Sequence, residues 1–206
     1  MTARIVRVRG TGEDRAANML SLIRGVELEY LAEIRPIGVR TFRQSVDAGV
    51  AEAVRLDALG PWVGVGYSLG CCVLAEAARY RWLPNLRGLV LVASPYAWGT
   101  SMRHGIAGRI GLGDLDIPVR EISIDDDPIP NCDVRNGGRQ IAVTVTGRAQ
   151  VPRPEWLDAG AVLQAMWAYG PGGRHTAYGV ERPAGDTRTY VEIARDEAYR
   201  MAGVNR

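Results

Sequence analysis

Trp62-Val63-Gly64-Val65-Gly66-Tyr67-Ser68-Leu69-Gly70-Cys71-Cys72 is the stretch that decides the fold of this chain. It opens with an apolar run of strand composition, Trp62 to Val65, passes through a G-x-S-x-G pentapeptide, and leads into helix-forming residues from Cys71 to Tyr80. Strand, sharp turn and helix in that order raise a serine hydroxyl on a strained elbow, so Ser68 is the candidate nucleophile. The glycines at 66 and 70 have a steric reason. Where the chain turns this tightly, the residues two before and two after the serine nearly collide, and neither has room for a bulky side chain. The competing reading is a glycine-rich turn whose serine merely caps the helix.

Outward from the elbow, the chain alternates strands and helices. Ile5 to Arg9 is a β-branched run ending at Gly10-Thr11-Gly12, and Asp14 to Ile23 carries apolar residues at helical spacing. Leu28 to Val39 predicts a second strand interrupted by Pro36, and Ser45 to Leu59 a helix with Val46, Val50, Ala53, Val54 and Leu56 on one face. Leu86 to Ala93 is nearly continuously apolar, as expected of a parallel strand buried on both faces. Val119 to Ile124 predicts another strand. Ser94 to Pro118 is glycine-rich and aperiodic, an excursion above the sheet. Gln140 to Thr146 fits strand or helix, whereas Pro154 to Tyr169 and Thr187 to Met201 predict helices. The alternation predicts a doubly wound α/β sandwich.

Composition narrows the class. With 206 residues, 47% hydrophobic and 23% charged, the chain suits a soluble globular protein forming one domain over 1–206. No apolar stretch approaches the roughly 20 residues that span a bilayer, and no Sec-type leader is visible, so neither an anchor nor a signal peptide is expected. The 25 basic residues are all arginine and interspersed with 23 acids, which excludes a nucleic-acid stripe. Three cysteines, Cys71, Cys72 and Cys132, and two histidines form neither a disulfide framework nor a metal-ligand spacing, and no metal or cofactor is expected. Cys71 and Cys72 read as small apolar residues packing a helix on the sheet, Cys132 as a residue of a polar loop.

A serine hydroxyl attacks only if a base takes its proton, and on this type of scaffold the partners follow in the order Ser, Asp or Glu, His. His175 is the histidine that satisfies the order; it follows the flexible Gly170-Pro171-Gly172-Gly173, while His104 precedes the acid candidates. The acid should leave the C-terminal end of a strand and hold the imidazole in one tautomer. Asp125, Asp126 and Asp127 all stand there. Asp127, followed by Pro128-Ile129, is favoured, with Asp126 and then Asp125 as alternates. An oxyanion hole requires two backbone N–H groups: one from Leu69, directly after the nucleophile, and one from the loop after the first strand, for which Thr11 is chosen. Tyr96, Trp98, Trp156, Trp167, Tyr169 and Tyr178 lie in segments expected above the sheet and are candidates to line an acyl groove, with Trp156 and Trp167 also suiting the core.

Six segments occur in an order shared with one family: Arg9-Gly10-Thr11-Gly12-Glu13, the Ser68 elbow, Ala93-Ser94-Pro95-Tyr96, Arg103-His104-Gly105-Ile106-Ala107-Gly108, Asp126-Asp127-Pro128-Ile129 and His175-Thr176-Ala177-Tyr178. In these the chain resembles the cutinase-like serine esterases, and among them most the phage lysin B mycolylarabinogalactan esterases. The resemblance implies an α/β-hydrolase (cutinase-like) three-layer sandwich with a central, mostly parallel sheet. It implies a serine carboxylic-ester hydrolase with a catalytic triad of Ser68, Asp127 and His175, an oxyanion hole near Thr11 and Leu69, and no cofactor. The implied substrate is a lipid or cell-wall ester, ester-linked mycolic acid in particular. Such an enzyme, made in the host cytoplasm, is expected to act on the envelope after lysis or from a virion. The chain departs from the family at Leu69, where glutamine is common, at Asp126, where glycine is usual, and in lacking the paired cysteines of secreted cutinases. Two other readings remain: a generic cutinase-like lipid esterase, and a phage structural or tail-associated protein retaining the fold. A nucleotide-binding module is disfavoured, since neither Gly10-Thr11-Gly12 nor Gly64-Val65-Gly66 completes a phosphate-binding loop and the chain has no lysine.

Overall fold

The structure is a computed structural model, and it describes residues 2–36, 38–157 and 173–204. Five strands form one sheet in the order β2-β1-β3-β4-β6: β1 Arg4–Val8, β2 Val26–Glu27, β3 Trp62–Tyr67, β4 Leu86–Val92 and β6 Val119–Ile122. All four pairings are parallel, so every strand ends at the same edge of the layer, where Val8 lies beside Gly66 and Tyr67 beside Val92. A separate two-stranded ribbon pairs β5 Arg103–His104 antiparallel with β7 Cys132–Asp133.

The parallel strands need cover on both faces, and the two faces bury different side chains. Val6, Val8, Trp62, Leu89 and Leu91 point to one core with α1 Phe42–Asp57 and α2 Leu69–Tyr80. Ile5, Val63, Val65, Val90 and Val92 point to the other with α4 Tyr190–Ala202. The central helix α2 is buried from Leu69 through Ala77 because the sheet lies on one side and α1 on the other. Close approach is permitted by glycine: a Cβ on Gly64 would stand 2.8 Å from Leu74 Cδ2, and one on Gly49 would stand 2.7 Å from Val73. Both α1 and α4 begin with a capping box, Thr41 with Gln44 and Thr189 with Glu192. The start of β1 is tied to the end of α4 by a hydrogen bond of 2.9 Å from the Ala3 N–H to the Ala202 carbonyl.

The helix expected over Asp14 to Ile23 does not form. Side chains there satisfy the backbone locally instead: Asp14 Oδ1 accepts from the N–H groups of Ala16 and Ala17, Asn18 Oδ1 from Leu20, and Ser21 Oγ from Asn18. Leu20 and Ile23 are still fully buried, so their helical spacing reported the core and misreported the backbone. The second strand expected over Leu28 to Val39 does not form; the strand beside β1 is Val26–Glu27, just before that range, and once the Leu28 N–H has donated to the Arg7 carbonyl the chain leaves the sheet. Gln140 to Thr146 lies in helix α3, Gly138–Thr146. Pro154–Leu157 is one 3-10 turn, and the rest of the expected helix to Tyr169 falls outside the described residues. Cys132 is buried on β7, not in a polar loop. Among the described residues no helix is long and apolar enough to cross a membrane.

Candidate active site

Ser68 sits between β3 and α2 with φ 51° and ψ −115°, a left-handed backbone that costs a non-glycine residue about 1–3 kcal/mol. Its neighbours hold it there. A Cβ on Gly70 would stand 1.9 Å from the Val8 carbonyl oxygen, and one on Gly66 would stand 2.8 Å from the Cys71 nitrogen, so the crossing at the elbow admits glycine alone. The Ser68 N–H donates to Val92 O at 3.0 Å, fixing the elbow to the end of β4. There Ala93 also takes a positive φ, 56°.

The structure brings Ser68, His175 and Asp127 together. His175 stands on a 3-10 turn, Arg174–Gly179, in the stretch leading to α4, and its Nε2 lies 2.9 Å from Ser68 Oγ. Its Nδ1 lies 2.8 Å from Asp127 Oδ2. A carboxylate accepts only, so Nδ1 carries the proton and the Nε2 lone pair faces the serine. All three side chains are buried, Asp127 completely. Asp127 also receives the Ile129 N–H on Oδ1 at 2.9 Å and the Tyr178 hydroxyl on Oδ2 at 2.7 Å. Of its neighbours, Asp125 is exposed and Asp126 turns outward to Arg174 Nε at 2.6 Å. His104 stands elsewhere, on β5, where burial and then the charges of Arg139 and Arg109 lower its pKa to about 4.

The loop carrying Thr11 lies against the elbow. A Cβ on Gly10 would stand 2.7 Å from the Tyr67 ring, so this close approach too needs glycine. Three interactions shape the loop. Arg9, itself buried, donates from Nε to the Glu13 carbonyl and from its terminal nitrogens to Leu28 and Tyr30 carbonyls. Glu13 accepts the Gly10 N–H at 2.6 Å and the Met19 N–H at 2.7 Å. Burial raises the Glu13 pKa above the ordinary 4.5, against the lowering effect of those two bonds, Arg9 and His175. Thr11 Oγ1 is buried without a hydrogen-bond partner, and Leu69 is the first residue of α2.

Tyr178, a candidate to line the groove, is instead fully buried in the core packed by α4, with its hydroxyl on Asp127. Tyr96 and Trp156 are likewise buried, Tyr96 donating to Glu76 and Trp156 to the Val134 carbonyl. Trp98 is exposed, and Trp167 and Tyr169 lie outside the described residues. Sequence reasoning placed Tyr178 in the groove and missed its partnership with Asp127, for which its place in the His175-Thr176-Ala177-Tyr178 segment was the available signal.

No family model matches the chain, and no curated protein matches it. Solved structures do. Lysin B from Mycobacteriophage D29 superposes with a TM-score of 0.54 at 17% identity, covering 95% of this chain and 100% of that one. A cutinase-like protein from Cryptococcus sp. gives 0.54 at 13% identity, covering 98% of this chain and 95% of that one. The catalytic core domain of acetyl xylan esterase from Trichoderma reesei gives 0.50 at 15% identity, covering 72% and 99%. At such identities the likeness speaks for architecture: the chain has the cutinase-like α/β-hydrolase fold, with Ser68, His175 and Asp127 hydrogen-bonded in series at the carboxyl edge of its sheet.

Proposed function

We propose that this protein is a serine carboxylic-ester hydrolase, and that its substrate is the ester-linked mycolic acid of actinobacterial cell wall. The observation that carries the enzymatic reading is the unbroken relay from Ser68 Oγ through His175 to Asp127, buried and set on a strained elbow. In the first half-reaction Ser68 Oγ bonds to the ester carbonyl carbon while its proton passes to His175 Nε2. Asp127 stabilises the imidazolium. The Thr11 and Leu69 N–H groups hold the carbonyl oxygen as it becomes negative, and the unpartnered Thr11 hydroxyl adds a third donor. His175 then returns the proton to the leaving alcohol as the carbon–oxygen bond breaks. Water repeats the sequence on the acyl-enzyme, regenerating Ser68.

The mycolate assignment rests on narrower ground: the resemblance of the Arg9 to Glu13 and Arg103 to Gly108 segments to the lysin B branch, and a solved lysin B among the structural neighbours. Two measurements separate the levels. Ser68 is expected to react with a fluorophosphonate probe, and Ser68→Ala to abolish both labelling and p-nitrophenyl ester hydrolysis in a folded protein. Residual hydrolysis within about tenfold of the parent removes Ser68 from the mechanism. The same protein is expected to release free mycolic acids from isolated mycolylarabinogalactan. Hydrolysis of simple lipid esters with no mycolate release reassigns it as a generic lipid esterase.

A further inference from the structure

The Tyr178 phenol has a fully determined hydrogen-bond role. Its oxygen accepts the Ile124 N–H at 3.1 Å, which leaves its single proton directed to Asp127 Oδ2 at 2.7 Å. Burial, then the charge of Asp127, raises the Tyr178 pKa, so that proton stays in place at any working pH. Oδ2 is the same oxygen that faces His175 Nδ1. Two donors therefore share one carboxylate oxygen, and one of them is the base of the proposed relay. The phenol is held on all sides: its ring meets His175, Tyr67 and Tyr190 edge-on, with centroids 6.4, 6.1 and 5.7 Å away.

We propose that Tyr178 is a positioning residue of the hydrolytic site, which locks the Asp127 carboxylate in plane with His175 and draws off part of its negative charge, setting how firmly His175 holds a second proton. The proposal rests on the triad reading above. A carboxylate with all its charge available would stabilise the imidazolium strongly and leave His175 protonated, unable to take the Ser68 proton, over more of the pH range. Donation from Tyr178 moderates that pull while it holds the carboxylate in place. Placement supports the role from a second direction. The 3-10 turn that presents His175 also carries Tyr178, and Ile124 immediately precedes the Asp125-Asp126-Asp127 run, so this one phenol joins the acid loop to the histidine turn. Other groups around the pair are Glu13 from the loop after β1, Tyr67 from β3, whose hydroxyl donates to the His175 carbonyl, and the outer Asp126–Arg174–Glu181 cluster. Among the described contacts, those made to Asp127 Oδ2 come from the Tyr178 hydroxyl and His175 Nδ1.

The test is to follow the His175 ring protons by NMR titration in the Ser68→Ala protein, with and without Tyr178→Phe. The readout needs no turnover, so it stands apart from whether the protein is an esterase, which the fluorophosphonate reaction decides. His104, with its pKa near 4, serves as an internal reference resonance. Tyr178→Phe is expected to raise the His175 midpoint by about half a unit or more. In the Ser68 protein the acid limb of the kcat/KM profile should move to higher pH by the same amount. Because Phe leaves the Ile124 N–H unpaired, a second variant keeps the packing intact: 3-fluorotyrosine at position 178 retains both hydrogen bonds, donates more strongly, and should lower the midpoint. A midpoint that stays put in both proteins, or moves in the opposite sense in either, overturns the proposal. A purely structural Tyr178 would lower folded yield and move neither midpoint.

Discussion

At the scale of single residues, Asp127 differs from the two aspartates before it by burial and by the number of donors it receives. Asp127→Asn places an amide where His175 Nδ1 needs an acceptor, so the imidazole is expected to adopt the other tautomer and lose its lone pair towards Ser68. Turnover should fall by about 10⁴-fold. Asp126→Asn breaks only the outer contact with Arg174 and should leave turnover close to the parent, as measured by ester hydrolysis at pH 7. Glu13 supports a prediction about stability and pH. Its pKa is raised in the folded state, so between 4.5 and the raised value the folded chain holds more proton than the unfolded one. Its contribution to stability therefore declines as pH rises through that window. The difference in melting temperature between Glu13→Gln and the parent should shift in favour of Gln as pH climbs from about 4 to 7. Parallel curves would remove Glu13 as the cause. Some of this was legible without coordinates: Gly66, Ser68 and Gly70 announce the elbow because only glycine survives its crossing contacts. The pairing of Tyr178 with Asp127 was silent, because nothing in a tyrosine three residues after a histidine states which way it points.

At the scale of elements, the β5–β7 ribbon depends on one side chain from α3. Arg139, 1% exposed, donates to the carbonyls of His104, Gly105, Cys132 and Asp133 and to Gln150 Oε1, at 2.7 to 3.0 Å. One planar fork thus joins both strands of the ribbon, and burial lowers its pKa without removing its charge. Arg139→Met leaves several buried carbonyls unpaired and is expected to cost on the order of 3 kcal/mol or more. Arg139→Lys, with its donors gathered at one point, should recover little of that. A urea denaturation series measures both. The elements most readable in sequence, β3, β4, α1 and α2, are those whose apolar pattern is dictated by burial against the sheet. The ribbon and the Asp14 to Ile23 loop were not readable. They are held by polar side chains reaching distant or local backbone, and periodicity carries no trace of such bonds.

At the scale of the whole molecule, parallel pairing throughout the sheet separates two ends with different tasks. The proposed chemistry gathers where the strands finish, at Ser68 after β3 and at the loop after β1. The opposite end is where β1 begins and α4 finishes, joined by the bond between Ala3 and Ala202. Ala3 and Ala202 therefore lie together on the pole away from Ser68. Protein immobilised through a linker attached at Thr2 or at Val204, the exposed residues flanking that bond, is expected to present the same outward pole in both cases. The two orientations should hydrolyse a soluble ester at equal rates and reach an insoluble wall fragment equally well, which a comparison on coated beads measures directly. A surface anchor or second binding module joined beside the Ala3–Ala202 bond would accordingly leave Ser68 facing away from it.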